Sequence, residues 1–115
     1  MENSPSILFV EDDEDIRLCF RDYMEEKGYN ILVASDGVGA IKILIDNKID
    51  MIVTDYRMEV FGGKYWIKFL KKFCKDMNII IITGYPKMGI PVQFPIITKP
   101  FSFEQLEQEI LNFSK

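Results

Sequence analysis

The side chains that could do chemistry together are Glu11 and Asp12, Asp55, Thr83 and Lys99, each standing directly after a short apolar run. If the ends of those runs meet, three carboxylates converge and repel one another. The usual remedy is a hard divalent cation held by oxygen ligands, and Mg²⁺ suits a partial protein cage in which it keeps several waters. A cation beside a carboxylate, a hydroxyl and an ammonium is equipment for moving a phosphoryl group, whose charge lies on its equatorial oxygens. Asp55 is then the nucleophile that forms an acyl phosphate, while Mg²⁺, the Thr83 hydroxyl and the Lys99 ammonium each hold one side of the transferred group. Taken alone, an Asp after a strand is more often a solvated turn residue or a cap; the set carries the reading.

Such a set needs a scaffold that brings strand ends together. Ser6–Val10, Tyr29–Ala34, Met51–Thr54, Asn78–Ile82 and Ile96–Thr98 are short apolar runs that read as strands buried on both faces. Helical patterns separate them. Ile16, Cys19, Phe20, Tyr23 and Met24 form one apolar stripe, with Asp13 as N-cap, Glu14 and Asp15 at the positive end of the helix, and Gly28 as terminator. Ser35-Asp36-Gly37 reads as a turn before a helix marked by Ala40, Ile41, Leu44 and Ile45 that ends near Asn47. A third helix follows Gly62-Gly63, with Trp66, Phe69, Leu70 and Phe73 on one side and Lys64, Lys68, Lys71, Lys72 and Lys75 as a solvated face. Between Thr83 and Lys99, Pro86, Gly89, Pro91 and Pro95 leave room for a truncated or irregular helix. In the last helix, Ser102 and Gln105 fit a capping box ahead of Phe103, Leu106, Ile110 and Phe113. Strand and helix alternate throughout, so a doubly wound α/β parallel sheet with right-handed crossovers is expected, with the chemical residues at its carboxyl edge and the first and third strands flanking the switch point.

Composition removes other chemistries. A chain of 115 residues holds one core, so residues 1–115 are expected to be a single domain. There is no histidine, which eliminates histidine general bases and most transition-metal sites. A net charge of −4 argues against direct DNA binding, no apolar run approaches the ~20 residues of a membrane span, and Met1–Pro5 lacks a secretory pattern. A cytoplasmic protein is expected, with Cys19 and Cys74 as buried free thiols.

Val10-Glu11-Asp12-Asp13, Thr54-Asp55-Tyr56-Arg57-Met58, Ile82-Thr83-Gly84 and Thr98-Lys99-Pro100-Phe101 together resemble the receiver domain of two-component response regulators, over essentially the whole chain. The resemblance implies a flavodoxin-like five-stranded sheet of order 2-1-3-4-5, a cis Lys99–Pro100 bond, and phosphotransfer to Asp55 from the phosphohistidine of a sensor histidine kinase or phosphotransfer protein. It implies Asp12 as direct Mg²⁺ ligand, Glu11 as ligand through water, Asp55 and the main-chain carbonyl of Arg57 as further ligands, and Thr83 and Lys99 on the phosphoryl group. It also implies a non-enzyme with at most slow self-phosphorylation and self-dephosphorylation, acting as a monomer or weak dimer on a protein partner. Since the chain stops after the last helix, a stand-alone receiver similar to the chemotaxis receiver is expected.

Departures from that pattern are Glu59 in place of proline, Gly62-Gly63 where Asp-Gly is common, the short proline-rich segment after Thr83, and Ile96 where a switch aromatic normally stands. They motivate a competing reading, a pseudo-receiver that binds partners independently of phosphate. A phosphatase of the haloacid-dehalogenase type would want an acid two residues after the nucleophile; Arg57 stands there.

Overall fold

A computed structural model describes residues 5–58, 63–84 and 94–113. The order is β1 (Ser6–Val10), α1 (Glu14–Glu26), β2 (Asn30–Ala34), α2 (Gly37–Asp46), β3 (Met51–Asp55), α3 (Gly63–Phe73), β4 (Asn78–Thr83), β5 (Ile96–Thr98) and α4 (Phe103–Phe113). The strands form one five-stranded sheet, β2-β1-β3-β4-β5, with every neighbouring pair parallel. This is the flavodoxin-like order expected from the resemblance, and the Lys99–Pro100 bond is cis. The expected irregular helix between Thr83 and Lys99 falls largely on residues 85–93, outside the described residues.

The apolar runs make central strands because helices cover both faces of the sheet. All five residues of β3 are buried, its alternate side chains serving opposite cores. On one side Phe20 and Met24 of α1 and Leu106 and Ile110 of α4 pack with Ile7, Phe9, Met51, Val53, Ile80 and Ile82. Phe20 has its ring centroid 4.8 Å from that of Phe9 and 5.2 Å from that of Phe103. On the other side Ala40 of α2 and Trp66, Ile67 and Leu70 of α3 pack with Leu8, Val10, Ile52, Ile79 and Ile81. Each fully buried side chain of this size stabilises the fold by roughly 1.5–3 kcal/mol, before the loss of chain entropy is counted.

The helix starts follow their caps. Asp13 accepts from Ile16 N at 3.0 Å, Asp36 from Gly39 N at 2.8 Å and Ser102 from Gln105 N at 3.0 Å. Gly28 closes α1 with φ 90°, a left-handed conformation that glycine adopts without strain. A second tie joins α1 to α4: the Glu107 carboxylate accepts from the Tyr23 and Tyr29 hydroxyls at 2.9 and 3.1 Å and pairs with Lys27 at 3.4 Å.

The structure corrects the expected local pattern in five places. Gly37 is the first residue of α2 rather than part of a turn, because Asp36 caps the helix. Phe73 is 66% exposed and Ile67 takes its place in the core. Cys19 is exposed, since the buried line of α1 runs through Phe20 and Met24; Cys74 is buried, as expected. β2 starts at Asn30, one residue later than Tyr29, and β4 runs on to Thr83.

Candidate functional site

The parallel order sets the carboxyl ends of β1, β3, β4 and β5 along one edge, and the register fixes their depth. Val10 pairs with Thr54, Asp55 with Ile82, and Thr83 with Thr98. Glu11, Asp12, Asp55, Thr83 and Lys99 therefore leave the sheet together. Glu11 N–H donates to the Ala34 carbonyl at 3.1 Å and Lys99 N–H to the Thr83 carbonyl at 2.9 Å, which carries the parallel pairing one step beyond the strands.

Glu11 and Asp55 are buried and Asp12 is exposed, yet one carboxylate oxygen from each lies within 4.8 Å of the others. Lys99 Nζ stands 3.0 Å from Asp55 Oδ2 and 3.3 Å from Glu11 Oε1. Asp13 N–H donates to Glu11 Oε2 at 3.1 Å, and Arg17 holds the Glu11 carbonyl at 3.0 Å. Glu11 Oε1 is left buried with no hydrogen bond, so Lys99 serves it only as a nearby charge. Burial above all, and then the Asp55 charge, push the Glu11 carboxyl up to about 7, against the weaker opposing pull of the Asp13 amide and Lys99. Burial pulls the Lys99 ammonium down, but its bond to Asp55 and the charges of Asp55 and Glu11 outweigh that and raise it.

When all three carboxylates are ionised, the Lys99 ammonium balances only one of them at a largely buried site. A buried carboxylate oxygen without a hydrogen bond, in an all-oxygen donor set, is what a hard divalent cation requires. The residues fit Mg²⁺: Glu11, Asp12 and Asp55 would hold it, and when bound it would neutralise these acids and the oxygens of an incoming phosphoryl group. Thr83 is 1% exposed at the end of β4. Arg57 is exposed just past β3, at the start of the loop to α3.

One part of the site has no signature in the spacing of its residues. The Trp66 indole donates to Thr54 Oγ1 at 2.8 Å, and Thr54 Oγ1 donates to the Asp55 carbonyl at 3.0 Å. Gly63 N–H donates to the Tyr56 carbonyl at 2.7 Å. These bonds clasp the two ends of the β3–α3 loop, tying α3 to the strand end that carries Asp55. The available hint was Thr54 itself, a hydroxyl in a fully buried strand, which must find partners.

The sequence matches the family model described as response regulator receiver domain over residues 7–111. Among curated relatives, the transcriptional regulatory protein RprY of Bacteroides fragilis is 33% identical over 92% of this chain and 48% of its own length. The sensor kinase CckA of Brucella abortus is 27% identical over 92% of this chain but only 12% of its own length. The chain thus spans less than half of the length of these two relatives. Among solved structures, the receiver domain of Francisella response regulator 1452 superposes with a TM-score of 0.85 at 26% identity, covering 96% of this chain and 97% of that one. The response regulator TrrA of Thermotoga maritima, solved in complex with Mg²⁺ and BeF, gives 0.82 at 26% identity, covering 94% and 97%. Profile, relatives and fold agree with the acid, Thr and Lys edge described above: this chain belongs to the response regulator receiver domain family of two-component signalling.

Proposed function

We propose that this receiver is a working phosphoacceptor: Asp55 takes a phosphoryl group from a phosphohistidine of a sensor histidine kinase or phosphotransfer protein, with Mg²⁺, and the change switches binding of a downstream protein partner. The observation that carries this is Asp55, 3% exposed at the end of β3, with Lys99 Nζ at 3.0 Å and the buried, unbonded Glu11 Oε1 beside it. Residues 1–115 contain no histidine, so the donor imidazole lies outside them.

An Asp55 carboxylate oxygen attacks phosphorus, a P–O bond forms, and the P–N bond to the donor imidazole breaks, the released nitrogen keeping the electron pair and taking up a proton. Lys99 pairs with an oxygen of the incoming phosphoryl group as its contact with Asp55 loosens, and the Thr83 hydroxyl donates to another. Glu11, Asp12 and Asp55, with the Arg57 carbonyl, would hold Mg²⁺, which when bound would neutralise the charge gathering on the transferred group. Water later attacks the acyl phosphate slowly, so the chain is a switch rather than a turnover enzyme. Residues 1–115 act as one receiver unit, cytoplasmic, monomeric or weakly dimeric, without direct contact to DNA.

The test is an NMR titration with Mg²⁺ and then beryllofluoride, followed in parallel by the fluorescence of Trp66, whose indole is one hydroxyl away from the Asp55 backbone. Saturable shifts at Glu11, Asp12 and Asp55 with Mg²⁺, a second set at Thr83 and Lys99 with beryllofluoride, and loss of the second in Asp55→Ala support the reading. Silence at these residues refutes it. Ile96, where receivers carry an aromatic, packs on the α2–α3 side of the core and favours the second reading, a phosphate-independent interaction module; a partner that binds wild type and Asp55→Asn equally, with and without phosphodonor, would establish that one.

A further inference from the structure

Charge and exposed apolar surface are sorted between the two sides of the sheet. The α1–α4 side is acidic: α1 carries Glu14, Asp15, Asp22, Glu25 and Glu26 against Arg17 and Arg21, and α4 carries Glu104, Glu107 and Glu109 with no basic residue. On the other side, α3 contains no acid from Gly63 to Phe73. Its lysines 64, 68, 71 and 72, with Lys75 just beyond, are all exposed. Among the described residues no ion pair joins any of them to a carboxylate. Instead Lys64 and Lys68 lie over the Tyr65 ring at 5.5 and 5.9 Å and Lys72 over Phe73 at 5.6 Å.

The large hydrophobic residues exposed among the described residues are Val38, Ile45, Tyr65 and Phe73, all on α2 or α3. α2 is the more unusual helix. Lys42 and Asp46 are its only charged residues, its inner face meets the core through Ala40, and Val38 and Ile45, two turns apart, form an apolar line on its outer face. Lys42, exposed between them on that face, makes the outer surface of α2 aliphatic and cationic together.

We propose that the outer surface of α2 and α3 docks an acidic amphipathic helix of a protein partner, its apolar stripe on Val38 and Ile45 and its carboxylate edge along the α3 lysines. Charge complementarity selects this occupant. The face is cationic on a chain whose net charge is −4. Carboxylates one turn apart on a helix recur at about 6 Å, the spacing of lysines 64, 68 and 72 themselves. A nucleic acid would leave the aliphatic Val38–Ile45 line without a role, since bases stack on aromatic and guanidinium planes. An anionic membrane would have to take Asp46 into the headgroups together with its neighbour Ile45. Docking on this surface is separate from the Asp55 chemistry and does not depend on it.

The test uses the full chain and a synthetic helical peptide with leucines at i, i+3, i+4 and i+7 and glutamates along one flank. Controls are the same residues in scrambled order, the same leucine stripe flanked by lysines, phosphatidylserine vesicles and a DNA duplex. The expected result is saturable binding of the acidic peptide alone, with NMR shifts confined to α2 and α3. Affinity falls about tenfold or more in Ile45→Glu and in the pair Lys68→Glu and Lys72→Glu, and also falls as salt is raised. Ile45→Glu leaves Mg²⁺ binding at Glu11, Asp12 and Asp55 unchanged. Equal binding of the scrambled peptide, shifts elsewhere on the molecule, preference for vesicles or DNA, or a self-association in sedimentation that Ile45→Glu abolishes would each overturn the proposal, the last by making a second copy the occupant.

Discussion

Trp66 and Thr54 are both fully buried and share one hydrogen bond of 2.8 Å, so their energetic coupling can be worked out and measured. Thr54→Val keeps the shape of the side chain and removes the acceptor. The indole N–H then loses this acceptor in a fully buried setting, at a cost of about 1–3 kcal/mol. Trp66→Phe removes the donor and part of the ring, losing about 1 kcal/mol for the bond plus a packing loss from the smaller side chain. In the double variant no orphaned N–H remains. It should therefore be less destabilised than the sum of the singles by about 1 kcal/mol. Urea unfolding followed by far-ultraviolet circular dichroism measures all three against wild type, and an unchanged slope confirms that stability alone has moved. Because Thr54 Oγ1 also holds the Asp55 carbonyl at 3.0 Å, Thr54→Val should weaken Mg²⁺ binding by about tenfold, the scale of outer-shell partners at metal sites, while Thr54→Ser restores it. Singles that add within about 0.3 kcal/mol, together with unchanged Mg²⁺ affinity, would refute the clasp.

Further outcomes follow from other contacts. Burial pushes the Glu107 carboxyl up, but hydrogen bonds from Tyr23, Tyr29 and Lys27 more than reverse this and lower it. Its stabilising effect is therefore present above its ordinary value and lost as pH falls below that; the urea midpoint of wild type should exceed that of Glu107→Gln at neutral pH, with the gap closing on acidification, and a gap independent of pH would contradict this. Gly28→Ala meets nothing within 4 Å but must hold φ 90°, so it should cost about 1–2 kcal/mol with no change in Mg²⁺ binding; a neutral substitution would mean that α1 ends differently in solution. Arg57, exposed beside the strand end that carries Asp55, should slow attack of water on the acyl phosphate, and Arg57→Ala should shorten the phosphoryl lifetime; an unchanged lifetime removes it from that role.

The sheet was legible because burial on both faces leaves an apolar run that no surface strand would show, and Met51–Thr54 and Asn78–Ile82 are such runs. The caps at Asp13 and Ser102 were legible because their bonds close within three residues. That Glu11, Asp12, Asp55, Thr83 and Lys99 stand along one edge followed from topology, since parallel strands put their carboxyl ends on one side. What sequence pattern does not contain is the rotation of a helix about its axis. The stripe of α1 admits Cys19 or excludes it with a small turn, and Phe73 and Ile67 exchange places in α3 for the same reason. Long-range polar bonds are equally hidden: Trp66 reaches Thr54 across 12 residues and Tyr23 reaches Glu107 across 84, and no local periodicity records either.

Incubation of the chain with acetyl phosphate and Mg²⁺, followed by intact-mass analysis and peptide mapping, tests the central claim most directly. The account predicts one phosphoryl group on wild type, located at Asp55, dependent on Mg²⁺, absent from Asp55→Ala and strongly reduced in Lys99→Ala. No adduct on wild type, or the same adduct on Asp55→Ala, would contradict it and leave the acid edge of this receiver without its chemistry.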